Sequence, residues 1–244
     1  MNKAGGRYQR VIRSRHSVVS ALGFTQILGY GSSFYLLAVL GPPMSAETGW
    51  PLDWVVSGFS VGLVSSGVAA PSIGRAVDRF GGRPILAAGS VFLAIGLVGL
   101  GSATNLIVYL IAWGLMGLGM GASLYDAAFS ALGRWYHDGA RSLIATVTLW
   151  GGFASTICWP LSAYLVSIAG WRWTCFAYAA MHLLIALPLY AWLMPRGVTA
   201  ASPSQSSRAH DEKPIAIRPH GILFVLLAAS LTLSSAIVAI ISIH

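Results

Sequence analysis

Apolar residues come in long unbroken runs along this chain, separated by short breaks that hold nearly all of its charge. Positions 16–46, 54–74, 84–125, 142–171, 173–195 and 219–244 contain no Asp, Glu, Lys or Arg. A helix needs about 20 predominantly apolar residues to cross a hydrocarbon core ~30 Å thick. The run at 84–125 is long enough for two crossings, with Gly101, Ser102, Ala103, Thr104 and Asn105 as the turn between them. The pattern therefore predicts an all-α integral membrane protein, with spans near 18–41, 54–73, 84–101, 106–131, 143–168, 174–194 and 221–242.

Composition supports this class. Hydrophobic residues make up 56% and charged residues 9%, against roughly 25% charged in soluble domains. The 28 glycines fit as well, because small residues let membrane helices approach closely. Gly58 with Gly62, and Gly117 with Gly121, read as close-contact faces.

Charge sign changes the picture more. With the N-terminus placed in the cytoplasm, 14 of the 15 Lys and Arg residues fall on the inside and only Arg172 outside, while the first outer loop carries Glu47 and Asp53. That is the positive-inside rule. The formal net charge of +8 thus reports topology, and nucleic acid is not needed as a partner. The lipid bilayer is the first partner, and a bacterial plasma (inner) membrane is the expected location. The first span is too long for a cleaved signal peptide and further spans follow it. Cys158 and Cys175 lie inside expected spans without metal-ligand spacing, so no metal or cofactor is expected. The polar stretch 195–220, rich in Ser, Ala and Pro, reads as a flexible cytoplasmic linker. The organisation is then a basic N-terminal segment at 1–17, a six-helix unit at 18–194, the linker, and a seventh helix at 221–244.

The loop after the second span is the most specific motif: Gly74-Arg75-Ala76-Val77-Asp78-Arg79-Phe80-Gly81-Gly82-Arg83-Pro84. Gly81 and Gly82 permit positive φ where the chain reverses. Asp78 suits a neighbouring helix N-terminus, and the arginines suit lipid phosphates or buried carboxylates. The loop resembles the signature between helices two and three of the major facilitator superfamily, with Gly74, Asp78, Arg79, Gly81 and Arg83 on the pattern and Gly82 where a basic residue is usual. Gly117-Leu118-Gly119 is similar to the family's Gly-x-Gly in helix four, with Trp113 where Arg is common. Gly170-Trp171-Arg172-Trp173 resembles the outer turn between helices five and six. The helix-five antiporter signature is not reproduced.

The resemblance implies a six-helix bundle of two three-helix inverted repeats, one half of a transporter that binds a small organic solute near the midplane and works by alternating access. A coupled proton is a candidate second cargo. Family members have twelve spans, so this chain reads as truncated, and a second half-transporter or a second copy of the chain is a candidate partner. A transport-inactive fragment and a sensor-like bundle are the other readings. No catalytic residue is expected: neither H-E-x-x-H nor paired intramembrane carboxylates occur, no lysine sits in a span for a Schiff base, and no channel filter is visible.

Polar residues inside spans are costly and mark pathways. Asp126 is the lone intramembrane carboxylate, eight residues before Arg134, about 12 Å along a helix. It is expected to pair with Arg79 or Arg83 as an inner-gate latch, with proton carriage and helix capping as alternatives. His182 falls near the middle of span six, where either proton coupling or a structural hydrogen bond would suit it. Gln26 and Tyr30 occupy adjacent turns of span one, and Trp150 lies beside Gly151 and Gly152, upstream of Pro160, in a bendable span five. These residues, with Trp113, are the expected cavity lining.

Overall fold

The computed structural model describes residues 3–195, with side chains from Arg15 onward apart from that of Asp138. The linker beyond Pro195 and the expected seventh span lie outside the described residues. Helices α1 (Lys3–Gly31), α2 (Leu36–Thr48), α3 (Leu52–Phe80), α4 (Gly82–Gly101), α5 (Leu106–Ser123), α6 (Tyr125–Tyr136), α7 (Ala140–Gly152), α8 (Ala154–Met181) and α9 (Leu187–Leu193) follow one another, with no strand among the described residues.

Five helical stretches are long and apolar enough to cross a membrane: Arg15–Thr48, Leu52–Phe80, Gly82–Gly101, Leu106–Tyr136 and Ala140–Leu193. The last has 54 residues, about 80 Å of helix at ~1.5 Å per residue, far more than one crossing needs. It is divided at Gly170, whose φ of 80° and ψ of 170° are outside the helical region. Only glycine takes such a φ cheaply, so this residue splits the stretch into two passes. Gly81 (φ 86°, ψ 163°) reverses the chain between α3 and α4 in the same way.

Contacts at the ends of the helices show which ends share a side. Arg15 stacks over the Tyr136 ring at 5.3 Å, Arg134 pairs with Asp78 at 2.6 Å, and an Arg83 Nη donates to the Ala191 carbonyl. On the opposite side, Arg172 pairs with Glu47 at 2.8 Å and donates to the Gly101 and Ala103 carbonyls. Trp171 Nε1 donates to the other Glu47 oxygen at 2.7 Å, and Tyr109 donates to the Val55 carbonyl. One face is therefore arginine-rich and the other is built around Glu47 and Arg172.

The passes are packed through glycines. A Cβ on Gly117 would overlap the Gly62 carbonyl, and one on Gly58 would overlap the Trp113 ring. Gly89, Gly96 and Gly119 perform the same service between α4 and α5. The paired glycines of α3 and α5 are thus close-contact faces, as their spacing predicts. Gly82 has its own reason: a Cβ there would overlap that of Ala131 on α6, so the basic residue usual in the resembled motif has no room. Away from these contacts the surface is apolar, with Val68, Ile107, Leu149, Leu184 and Trp192 all more than two-thirds exposed. Such faces suit lipid or further helices.

Several passes are broken along their length. The first runs on to Thr48, beyond the expected end near 41, and is interrupted at 32–35. The fourth breaks at Leu124, which is extended (φ −80°, ψ −164°). The fifth breaks at Phe153, next to the glycine pair expected to loosen it. In the sixth, Pro188 has no N–H to offer the preceding turn, and residues His182–Ala186 widen into a π turn.

Candidate functional site

The signature loop is held by a bond made between helices. Arg134 Nη1 on α6 donates to Asp78 Oδ1 at 2.6 Å and its Nη2 to the Asp78 carbonyl at 3.1 Å. The arrangement grips both side chain and backbone at the C-terminal turn of α3. Three other arginines of that face are engaged otherwise: Arg75 donates to Ser72 Oγ, Arg79 lies over the Phe80 ring, and Arg83 reaches Ala191 on α9. Gly74 lines a recess between α3 and α6.

Asp126 is not part of that latch. The expected pairing with Arg79 or Arg83 is not formed; among the described residues Asp126 makes no ion pair, and Arg134 is spent on Asp78. The physical reason is direction. Leu124 breaks the pass and restarts it as α6, which turns Asp126 toward the Ser66–Val77 side of α3. The carboxylate is exposed and lines a recess of about 130 Å³ with Ser66, Gly67, Ala70, Gly121 and Ser130. A carboxylate in mid-membrane costs about 2.5–3.5 kcal/mol on insertion scales. Its place in the first turn of α6 returns about 0.3–1 kcal/mol through the helix dipole. The dipole alone does not account for it.

Beside Asp126 runs a row of aromatic rings. Tyr125 and Phe129 stack at 4.9 Å with planes 13° apart, Tyr30 lies 4.7 Å from Tyr125, and Phe34 is 5.2 Å from Tyr30. Tyr30 also lies within electrostatic reach of Asp126. Tyr30, Tyr125 and Phe129 are half-buried and Phe34 is exposed.

The other expected lining residues divide. Trp150 is partly exposed and seats on Gly23 of α1, where a Cβ would meet its ring. Three are sealed inside the bundle, contrary to their expected role. Trp113 is fully buried, with its ring against Gly58, Gly62 and Phe59; the glycines leave a slot that its size fills. Gln26 is fully buried and its Nε2 donates to the Ser123 carbonyl at 2.8 Å. His182 is 2% exposed. Its Nε2 is 2.8 Å from Ser32 Oγ, and Ser90 Oγ donates to its carbonyl at 2.9 Å. Ser32 stands at the break in the first pass, so His182 ties that break to α4 and to the π turn.

Sequence reasoning missed Arg134 as the partner of Asp78, the serines around His182, and the aromatic row. Ser32 and Ser90 are isolated hydroxyls in apolar runs, a visible but weak signal. The row of rings comes from two separate segments, 30–34 and 125–129, and nothing local in the sequence says that they meet. Among the described residues no three His, Cys, Asp or Glu side chains converge in a way that could hold a metal ion.

The model of the Major Facilitator Superfamily matches residues 22–244. The chain belongs to this superfamily. Its described helices are those of an all-α integral membrane protein. Two relatives agree in part. A protein of Thermoproteus tenax described as an uncharacterized 38 kDa protein in the 23S RNA operon is 30% identical over 188 residues, 76% of this chain and 49% of that protein. The 4-hydroxybenzoate transporter PcaK of Pseudomonas putida is 30% identical over 163 residues, 64% of this chain and 35% of that protein. The chain thus spans at most about half the length of these relatives.

Proposed function

We propose that this chain moves a small organic solute across a bacterial plasma membrane by alternating access, with its N-terminus in the cytoplasm. The observation that carries this reading is the Asp78–Arg134 pair, which clamps α3 to α6 on the arginine-rich face. On this reading the pair is an inner gate: made in one state and released in the other, it lets the cytoplasmic ends of the passes separate. The signature residues Gly74, Asp78, Arg79, Gly81 and Arg83 set the loop's turn and its anchors, and Arg83 holds α9 to it.

The solute pathway runs along the exposed strip of Tyr30, Tyr125 and Asp126. A carboxylate exposed on a membrane-spanning unit calls for a water-filled cavity or further helices against it. The second wall of the cavity therefore comes from a second half-transporter or a second copy of the chain. Proton coupling is assigned to Asp126 in preference to His182, since the histidine is sealed from both faces and already bonded to Ser32.

Reconstitution in proteoliposomes tests the proposal. Saturable uptake of a small organic solute, enhanced by an imposed proton gradient and lost in Asp78→Asn and Arg134→Gln, is the expected result. Uptake unaffected by both substitutions would remove the gate assignment.

A further inference from the structure

We infer that the Asp126 recess and the aromatic row beside it bind an organic cation, an amine or quaternary ammonium carried on an aromatic or apolar body. The inference rests on the transport reading above and names the substrate class of that site.

The first argument is charge. Asp126 is exposed and has no ion-pair partner among the described residues. Four arginines of the arginine-rich face are turned elsewhere: Arg134 to Asp78, Arg75 to Ser72, Arg79 to the Phe80 ring, and Arg83 to the Ala191 carbonyl. A carboxylate left open in a membrane interior is satisfied best by a cation that arrives and leaves. A substrate's own ammonium does this without a permanent internal ion pair.

The second argument is shape and chemistry. The recess of about 130 Å³ is walled by small residues, with the Ser66 and Ser130 hydroxyls at hand to accept from an N–H. Asp126, Phe129 and Ser130 stand at i, i+3 and i+4 on α6, and so on one face. The Tyr125–Phe129 stack and Tyr30 continue that face with ring surfaces. The negative faces of aromatic rings attract cations, so rings and carboxylate select the same sign of charge.

The third argument is what the strip does not provide. An anionic solute, such as the one in the name of the Pseudomonas relative, needs guanidinium or ammonium donors in the cavity. Among the described residues every Lys and Arg side chain lies toward the ends of the passes. This wall of the pathway therefore repels a carboxylate and attracts an amine.

The test uses the full chain, purified in detergent for equilibrium binding and reconstituted for uptake, with radiolabelled phenyltrimethylammonium as the cationic probe and 4-hydroxybenzoate as the anionic one. Saturable binding of phenyltrimethylammonium is expected, weakened at least tenfold by Asp126→Asn, retained in Asp126→Glu, and weakened several-fold by Phe129→Leu. Retention in the Glu variant shows that the Asn variant fails through its charge and not through misfolding. Three results overturn the proposal: no phenyltrimethylammonium binding, binding unchanged in Asp126→Asn, or uptake of 4-hydroxybenzoate in preference to the cation. Preferential 4-hydroxybenzoate uptake would sink the cation site and leave transport standing. Asp126-dependent cation binding without any uptake would sink transport and leave the site standing.

Discussion

At Gly117 the α5 backbone lies against the Gly62 carbonyl, and a single methyl group has nowhere to go. Gly117→Ala should therefore push α5 from α3 and cost about 1–3 kcal/mol, the range for overpacking a tight interior. Gly114→Ala, one turn earlier with nothing within 4 Å of its Cβ position, should leave stability unchanged or slightly raised. Thermal denaturation of the two variants in detergent checks the contrast, and equal effects would show that the contact does not hold the helices. His182 supplies a second residue-scale prediction. His182→Leu removes the imidazole partner of the buried Ser32 hydroxyl while the Ser90 bond to the backbone carbonyl survives, at about 1–3 kcal/mol for the group left short. The same denaturation assay should report the loss with or without transport. The glycine pairs were legible in the sequence because close packing of membrane helices needs small residues at four-residue spacing. The direction of Asp126 and the partners of His182 were not, because side-chain direction there is set by breaks at Leu124 and at 32–35 that no residue pattern announces.

Between elements, the Asp78–Arg134 bond joins two passes that are separated by more than fifty positions in the chain. The pair is well exposed, with side chains 27% and 67% accessible for Arg134 and Asp78, so its contribution to stability is small, about 0–1 kcal/mol. A gate needs no more than that, because it must open. Asp78→Asn and Arg134→Gln should thus abolish most transport while shifting the melting temperature little, and the exchange Asp78→Arg with Arg134→Asp should recover part of the activity. A double-mutant cycle on uptake rates is the measurement; additive losses without recovery would mean that the two residues act separately. Among the described residues the apolar runs do form the membrane-length helices, since a charge-free run of helical length has few other homes. The bend in the fifth pass was expected at its glycine pair, but the breaks in the first, fourth and sixth and the length of the first pass were missed for a physical reason. Hydropathy reports how much apolar chain is present, whereas kinks depend on which carbonyls a proline or serine leaves to be satisfied.

For the whole molecule, the proposed orientation rests on the charge difference between the two faces, because basic loops resist translocation. The native cysteines make a clean test possible, since Cys158 and Cys175 are both buried and an impermeant thiol reagent has little to react with in the wild-type chain. Ser102→Cys sits at the turn between α4 and α5, on the Glu47–Arg172 side. Phe80→Cys sits at the end of α3, on the arginine-rich side, where the native side chain is 56% exposed. On intact cells a sulfonated maleimide should label Ser102→Cys and spare Phe80→Cys, and on inside-out vesicles the order should reverse. Labelling of Phe80→Cys from outside would invert the molecule and place the Asp78–Arg134 pair at the outer mouth. The pair would then still be a gate between α3 and α6, but one that closes the pathway against the exterior.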